Sequence, residues 1–214
     1  MRMSFVSSPI GNSEVSGKNE TETSQSRENI IYVISQNRDL SLTEENLPYH
    51  SHLSLSVYTQ DMTFHWKRCE IVSNFVSQFY SGSDGDKSVD ANSASTIINE
   101  LIENAAKYSE KENSKIYIEI KDLGNKLRVD VKNKVSSWTK LNFEKLMQII
   151  ASGNVNQMYF DALESKHTED KTSGIGLLML LNDYHLNLGY KIKSNQQDNF
   201  EITIRAHIPI EAGY

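Results

Sequence analysis

Glu100-Leu101-Ile102-Glu103-Asn104-Ala105-Ala106-Lys107-Tyr108-Ser109 closes a helical stretch that begins near Val89 or Asp90, and its reading decides the fold. At about 100° per residue, Ala94, Ile97, Ile98, Leu101, Ala105 and Tyr108 share one sector, the stripe that would pack on a sheet. Glu100, Asn104 and Lys107 occupy the sector beside it. A carboxylate, a carboxamide and an ammonium therefore stand in line along the edge of the buried face. Such a trio can polarise a hydroxyl or water, ligate Mg²⁺ through the amide oxygen and meet phosphate charge. The same spacing also suits a solvated Glu/Lys face, worth about 0.2–0.5 kcal/mol per pair, and spacing alone leaves both readings open.

Outward from this helix, alternation and helical periods succeed one another. Upstream, Leu53, Leu55 and Val57 alternate with Ser54, Ser56 and Tyr58, the period of a half-buried strand. Ile71, Val72, Phe75, Val76, Phe79 and Tyr80 then predict a packing helix over 64–80, ended by a Gly/Ser/Asp loop. Downstream, 115–121 and 127–132 alternate around the turn Asp122-Leu123-Gly124-Asn125-Lys126, which predicts a β-hairpin. Helices are expected over 143–151 and 159–163, and the polar loop 164–171 is a candidate lid. Gly174-Ile175-Gly176 opens an apolar run, Leu177 to Leu181, expected to be a helix buried on most faces and ended near Gly189. Strands over 190–193 and 200–208 complete the pattern. The expected class is α+β: a two-layer α/β sandwich, a mostly antiparallel sheet with helices on one face.

A chain of 214 residues accommodates one sizeable domain and a tail. With 38% apolar and 23% charged residues and a mean hydropathy of -0.51, part of it is expected to stay unfolded. The division expected is a flexible polar tail over 1–29, an extension with a short strand (Ile30 to Ile34) over 30–52, and the domain proper over 53–210. A net charge of -6 gives no general attraction to phosphate backbones or anionic lipid, which argues against nucleic-acid partners. Cys69 is the single cysteine, so neither an intrachain disulfide nor a multi-cysteine zinc site can form, as expected for a reducing, cytoplasmic setting. The N-terminal residues do not read as a secretory signal, and no apolar run is long enough for a bilayer, so no membrane partner is expected. The six histidines are too scattered for a metal motif, and His65 reads as an ordinary, partly buried side chain.

Glycines let backbone N–H groups approach an anion, and a helix start favours negative charge, so Thr172-Ser173-Gly174-Ile175-Gly176 before a helix suits a phosphate. Lys171 would add a cation. A lone Gly-x-Gly also fits an ordinary loop.

Together these segments resemble the GHKL superfamily of ATPases, which includes gyrase, the large heat-shock chaperone, histidine kinases and the mismatch-repair ATPase. That family shows a Glu-x-x-x-Asn-Ala-x-Lys-Tyr/Phe helix, a β-hairpin with an Asp-x-Gly box after its second strand, a variable lid, and a glycine box opening a helix. Glu100 to Tyr108 fills the helix motif at every defining position, and Ser173-Gly174-Ile175-Gly176-Leu177 resembles the second glycine box. The resemblance implies a Bergerat ATP-binding fold with ATP and Mg²⁺ as ligands. It implies that Asn104 binds the Mg²⁺, that Glu100 is the catalytic base, that Lys107 contacts phosphate and that Tyr108 lines the nucleotide pocket. Gly174, Ile175 and Gly176 would form the phosphate-binding box, with Ser173 and Lys171 as helpers.

One box departs from the family. Where Asp-x-Gly would present a carboxylate to the adenine amino group, this chain has Asn133-Lys134-Val135-Ser136-Ser137. Asn133 keeps an amide oxygen able to accept that bond, but the charge and both glycines are gone. Either the pocket is rebuilt around Asn133, or the fold serves as a nonhydrolysing module. A small version without transducer modules looks most like bacterial anti-sigma-factor kinases and SiaB-type kinases. That resemblance implies a regulatory serine/threonine kinase of a partner-switching pathway whose partner is a small STAS-type antagonist, with a homodimer allowed. The alternative is a nucleotide-sensing or protein-binding regulator without chemistry.

Overall fold

The computed structural model describes residues 2–5, 28–33, 47–81, 87–110, 114–164, 174–195 and 199–212. Its strands are β1 (Arg2–Phe5), β2 (Glu28–Val33), β3 (Ser51–Tyr58), β4 (Lys87–Ser88), β5 (Lys115–Asp122), β6 (Lys126–Ser136), β7 (Asn187–Asn195), β8 (Asn199–Pro209) and β9 (Glu211–Ala212). Its helices are α1 (Thr59–Thr63), α2 (Lys67–Ser81), α3 (Ala91–Tyr108), α4 (Ser137–Ser152), α5 (Val155–Glu164) and α6 (Ile175–Asn182). Seven strands form one sheet in the order β1-β3-β5-β6-β8-β7-β2, every neighbouring pair antiparallel, and β4 pairs with β9 in a two-stranded ribbon.

Period-two alternation assigns the two faces of this sheet. Leu53, Leu55 and Val57 of β3, Ile116, Ile118 and Ile120 of β5, and Leu127, Val129 and Val131 of β6 are all buried on the helical side. Against them α3 lays Ala94, Ile97, Ile98, Leu101 and Ala105 of the expected stripe, widened by Ile102 and Ala106, whereas Tyr108, expected in the stripe, is only half-buried. On the same side α4 seats Phe143 edge-on against Tyr190 of β7, with ring centroids 5.1 Å apart. The expected two-layer α+β sandwich is what forms.

The opposite face carries the polar half of the alternation. Asp130 of β6 accepts two bonds from Arg205 of β8, Nε at 2.7 Å and Nη2 at 2.9 Å, and Arg128 Nη2 lies 3.1 Å from the same carboxylate. Glu119 extends the row, 3.8 Å from Arg128 and 3.1 Å from His52 Nε2. Arg128 and Asp130 are both buried, so their charges are paired where water cannot compensate them.

Local chemistry sets the ends of the elements that carry the site. Asp90 caps α3, accepting from the backbone N–H of Asn92 at 3.4 Å and Ser93 at 3.0 Å. The β5–β6 turn uses Gly124 at φ +88°, a left-handed conformation that suits glycine, with Gly124 N–H donating to Asp122 Oδ1 at 2.7 Å. Ser136 caps α4 by accepting from Thr139 N–H at 3.2 Å.

Several elements differ from the periodic reading. The helix expected over 64–80 is two helices: the backbone N–H of Phe64 closes α1 on Gln60 O, and α2 restarts as Arg68 and Cys69 N–H bond to His65 O and Trp66 O. His65, expected to be partly buried, is exposed in this break. β6 runs four residues past Lys132, to Ser136, because β8 pairs with it throughout, from Lys126↔Pro209 to Ser136↔Asn199. α6 stops at Asn182 rather than near Gly189, and the chain turns through His185, at φ +47°, into β7. Arg2–Phe5 lies within the stretch expected as a tail and pairs with β3. The candidate lid, apart from Glu164, lies outside the described residues, as do Lys171 and Ser173.

Candidate functional site

A pocket of about 360 Å³ opens along the edge of α3, walled by Trp66, Glu100, Glu103, Asn104, Lys107, Tyr108, Gly174 and Gly176. Six of the residues expected from sequence to share a site are in this wall. Glu100, Asn104 and Lys107 come from the strip beside the packing stripe of α3, and Tyr108 is half-buried at its end. Gly174 and Gly176 come from the start of α6, more than sixty residues later in the chain.

Each glycine is there for a steric reason. Gly174, the N-cap of α6, has φ +96°, and a Cβ at this position would also stand 3.0 Å from Leu146 Cδ2 of α4. The positive φ selects glycine, and the Leu146 side chain would have to give way to a Cβ. Gly176 lies directly over the α3 strip: a Cβ there would overlap the Glu100 carboxylate and lie 3.1 Å from its Cδ and 3.5 Å from Asn104 Nδ2. The first turn of α6 is thereby pressed onto the carboxylate and the carboxamide. Ile175 is the first residue of α6.

The polar groups of the pocket are only partly satisfied among the described residues. Asn104 Nδ2 is buried and has no hydrogen-bond partner among the described residues; a buried donor left unsatisfied costs about 1–3 kcal/mol, so a group that accepts from it stabilises the pocket. Burial, and then the charge of Glu103, push the Glu100 carboxyl above the ordinary carboxylate range, with Lys107 offsetting part of the rise. Glu103 itself accepts from Asn99 Nδ2 at 2.8 Å. Lys107 extends to the solvent side, its Nζ 5.3 Å from the centroid of the Tyr108 ring. Two carboxylates against one ammonium make the wall net negative, so an anionic ligand would need to bring a cation.

Asn133 is not in this wall. It lies inside β6, paired with Ile202, rather than in a loop after the strand. The residue is 6% exposed, and its carboxamide donates through Nδ2 to Ala105 O at 3.2 Å and Ser109 Oγ at 3.0 Å. Ser109 Oγ donates in turn to Ala105 O at 2.6 Å, so Asn133 ties the sheet to the last turn of α3.

Trp66 and Glu103 are the wall residues that sequence reasoning did not single out. Glu103 sits inside the quoted motif and is three residues from Glu100, one helical turn, which was signal enough to include it. Trp66 arrives through the α1–α2 break, which periodicity does not reveal. Elsewhere, Cys69 is buried and its thiol is pushed up to about 11, chiefly by burial, which makes it a poor nucleophile. Among the described residues no cluster of His, Cys, Asp and Glu is arranged to hold a metal on its own, and no helix is long and apolar enough to cross a membrane.

The fold is similar to that of a chain in the crystal structure of the SiaB-SiaC complex from Pseudomonas aeruginosa. The two superpose with a TM-score of 0.52 at 16% identity, over 72% of this chain and 89% of that chain. At this identity the likeness is one of fold. No protein-family model matches the chain, and no curated protein matches it.

Proposed function

We propose that this protein is an ATP-binding regulatory protein of the GHKL superfamily that acts as a serine/threonine kinase on a small regulatory partner. The observation that carries the reading is the meeting of Glu100, Asn104 and Lys107 with Gly174 and Gly176 in one pocket. A phosphate group brought with Mg²⁺ suits that wall: Asn104 Nδ2 is a buried donor without a partner among the described residues, and a cation would offset the two carboxylates. When bound, Mg·ATP supplies the transferable phosphoryl group and neutralises charge that the carboxylates would otherwise repel.

The chain's own residues do the rest. Asn104 would hold the cation through its amide oxygen. Gly174, Ile175 and Gly176 offer backbone N–H groups at a helix start, and Lys107 meets phosphate charge. Glu100, made more basic by burial, would take the proton of the acceptor hydroxyl as that oxygen bonds to the terminal phosphorus and the nucleoside diphosphate leaves. Lys171 and Ser173 are proposed helpers of the phosphate box.

A partner-switching setting, with a small STAS-type antagonist as the acceptor, is supported by the fold's likeness to a chain from a two-protein complex. A cytoplasmic location in a bacterial signalling pathway goes with that reading. A second reading, a nucleotide-sensing or protein-binding regulator without chemistry, is favoured by one observation: Asn133, the expected adenine acceptor, lies inside β6 and outside the pocket wall.

The test is a thermal shift with ATP, ADP and GTP in the presence of Mg²⁺, on the chain and on Asn104→Ala, followed by phosphate transfer by Glu100→Ala. A Mg-dependent rise lost in Asn104→Ala, with transfer lost but binding kept in Glu100→Ala, is the expected result. No rise at saturating nucleotide refutes ATP binding, because a ligand bound only by the folded state must raise the melting temperature. Binding without transfer to any small partner favours the second reading.

A further inference from the structure

Trp66 is a residue of the pocket for which the phosphate-handling set has no use. It lies in the α1–α2 break, 46% exposed, and lines the same wall as Glu100, Asn104 and Lys107. The side chains that handle magnesium and phosphate say nothing about what holds the base. The expected base reader, Asn133, is outside the wall and commits Nδ2 to Ala105 O and Ser109 Oγ. Two aromatic rings remain in the wall. The Tyr108 ring already has the Lys107 ammonium 5.3 Å from its centroid. The Trp66 indole is the larger, more exposed platform.

We infer that Trp66 is the base-binding residue of this pocket, stacking on the nucleotide base, and that the pocket therefore accepts magnesium nucleoside triphosphates with little discrimination among bases. This rests on the nucleotide reading of the same site and adds to it a substrate class and a residue. From Glu100 to Tyr108 the α3 wall extends about 12 Å at 1.5 Å per residue, which suits an extended triphosphate with its nucleoside toward the mouth. Stacking uses the π-face that every base has, whereas selection requires hydrogen bonds to a base edge from groups held in place. The larger ring system of a purine stacks over more area than a pyrimidine, so a mild purine preference is expected.

Trp66 and Trp138 are the two tryptophans of the chain, and Trp138 is 73% exposed on α4, outside the pocket wall. In the full chain carrying Trp138→Phe, indole emission therefore reports Trp66. Titration with Mg²⁺ and ATP, GTP or CTP is expected to quench that emission, with affinities for ATP and GTP within about tenfold; inorganic triphosphate is expected to bind without quenching. Trp66→Ala should weaken ATP by about 5- to 100-fold and leave inorganic triphosphate unchanged, and Trp66→Phe should recover most of the loss. If ATP raises the melting temperature in an Asn104-dependent way but neither changes the emission nor responds to Trp66→Ala, the inference is overturned while the nucleotide reading stands. A preference for ATP over GTP beyond about a hundredfold overturns it equally. If no nucleotide binds, both fall together.

Discussion

Replacing Gly176 by alanine separates folding from function at the closest approach in the pocket. In the first turn of α6 the change is favourable by propensity, by about 1 kcal/mol. Against this, the new Cβ would overlap the Glu100 carboxylate, with Cδ 3.1 Å and Asn104 Nδ2 3.5 Å away. The overlapped atoms are the tip of a flexible side chain that burial already disfavours in its charged form, so Glu100 can swing toward solvent for about 0.5–1.5 kcal/mol of rotamer energy. The two contributions nearly cancel. The unliganded Gly176→Ala protein should stay within about 1 kcal/mol of the parent, a melting shift of no more than about 2–4 °C for a domain of this size.

The effect on the ligand is not balanced in this way. At a nucleotide concentration a hundred times Kd, the parent gains about 2.7 kcal/mol, or about 5–10 °C. If the methyl group weakens binding a hundredfold by taking the cradle and displacing Glu100, the same concentration gives the variant about RT ln 2, near 0.4 kcal/mol, or roughly 1 °C. Misplacing the base by about 1 Å should cost transfer a further factor of about 10². Scanning fluorimetry with and without Mg·ATP, beside urea denaturation of the unliganded chain, reads both quantities. A Gly176→Ala protein that keeps the full nucleotide shift would refute the placement of the ligand over Glu100. A loss above about 2 kcal/mol without ligand would show instead that the carboxylate cannot move aside.

Three other substitutions test neighbouring parts of the structure. Glu100→Gln should be more stable than the parent at pH 7, because burial, then Glu103, raise the folded carboxyl's pKa and its ionised form weakens the fold. Glu100's contribution is most favourable below the ordinary carboxylate pKa and is lost as pH rises through the raised folded value, so the advantage of glutamine should vanish in acid; equal stabilities in urea at pH 7 would refute this. Asn133→Asp should lose about 1–3 kcal/mol, since a carboxylate would replace the amide that donates to Ala105 O and Ser109 Oγ, and should bring no gain in adenine selectivity; unchanged stability with a new preference for ATP over GTP would count against the bracing role. Asp130→Ala removes the shared partner of Arg128 and Arg205 on the polar face and should cost about 3–5 kcal/mol in urea unfolding. A cost below about 1 kcal/mol would mean that the buried row adds little to the fold.

Much of this fold and site was legible from periodicity and spacing. Five of the six residues read as the packing stripe of α3 are buried, and the i, i+4, i+7 strip of Glu100, Asn104 and Lys107 does line one pocket, because a helix is rigid over two turns. The β5–β6 hairpin followed from alternation around a turn that suits glycine at positive φ. The break between α1 and α2 was not legible: hydrophobic spacing records which side faces the core and continues unchanged across an interruption of the backbone. The strand character of Asn133 was hidden for a related reason, since β8 pairing carries β6 onward and β8 lies more than sixty residues away.

The sequence by itself determined which side chains share a helix face, that one domain of α+β class was to be expected, and that the Glu-Asn-Lys strip and the Gly-x-Gly segment are candidate pieces of a site. These are short-range properties, set by backbone geometry within a few residues. Only the tertiary structure decided that α6 presses Gly176 onto Glu100 and Asn104, that Trp66 lines the same wall, and that Asn133 lies outside it and braces α3. Those are contacts between segments far apart in the chain, settled by sheet pairing and by burial of a common core rather than by any local pattern.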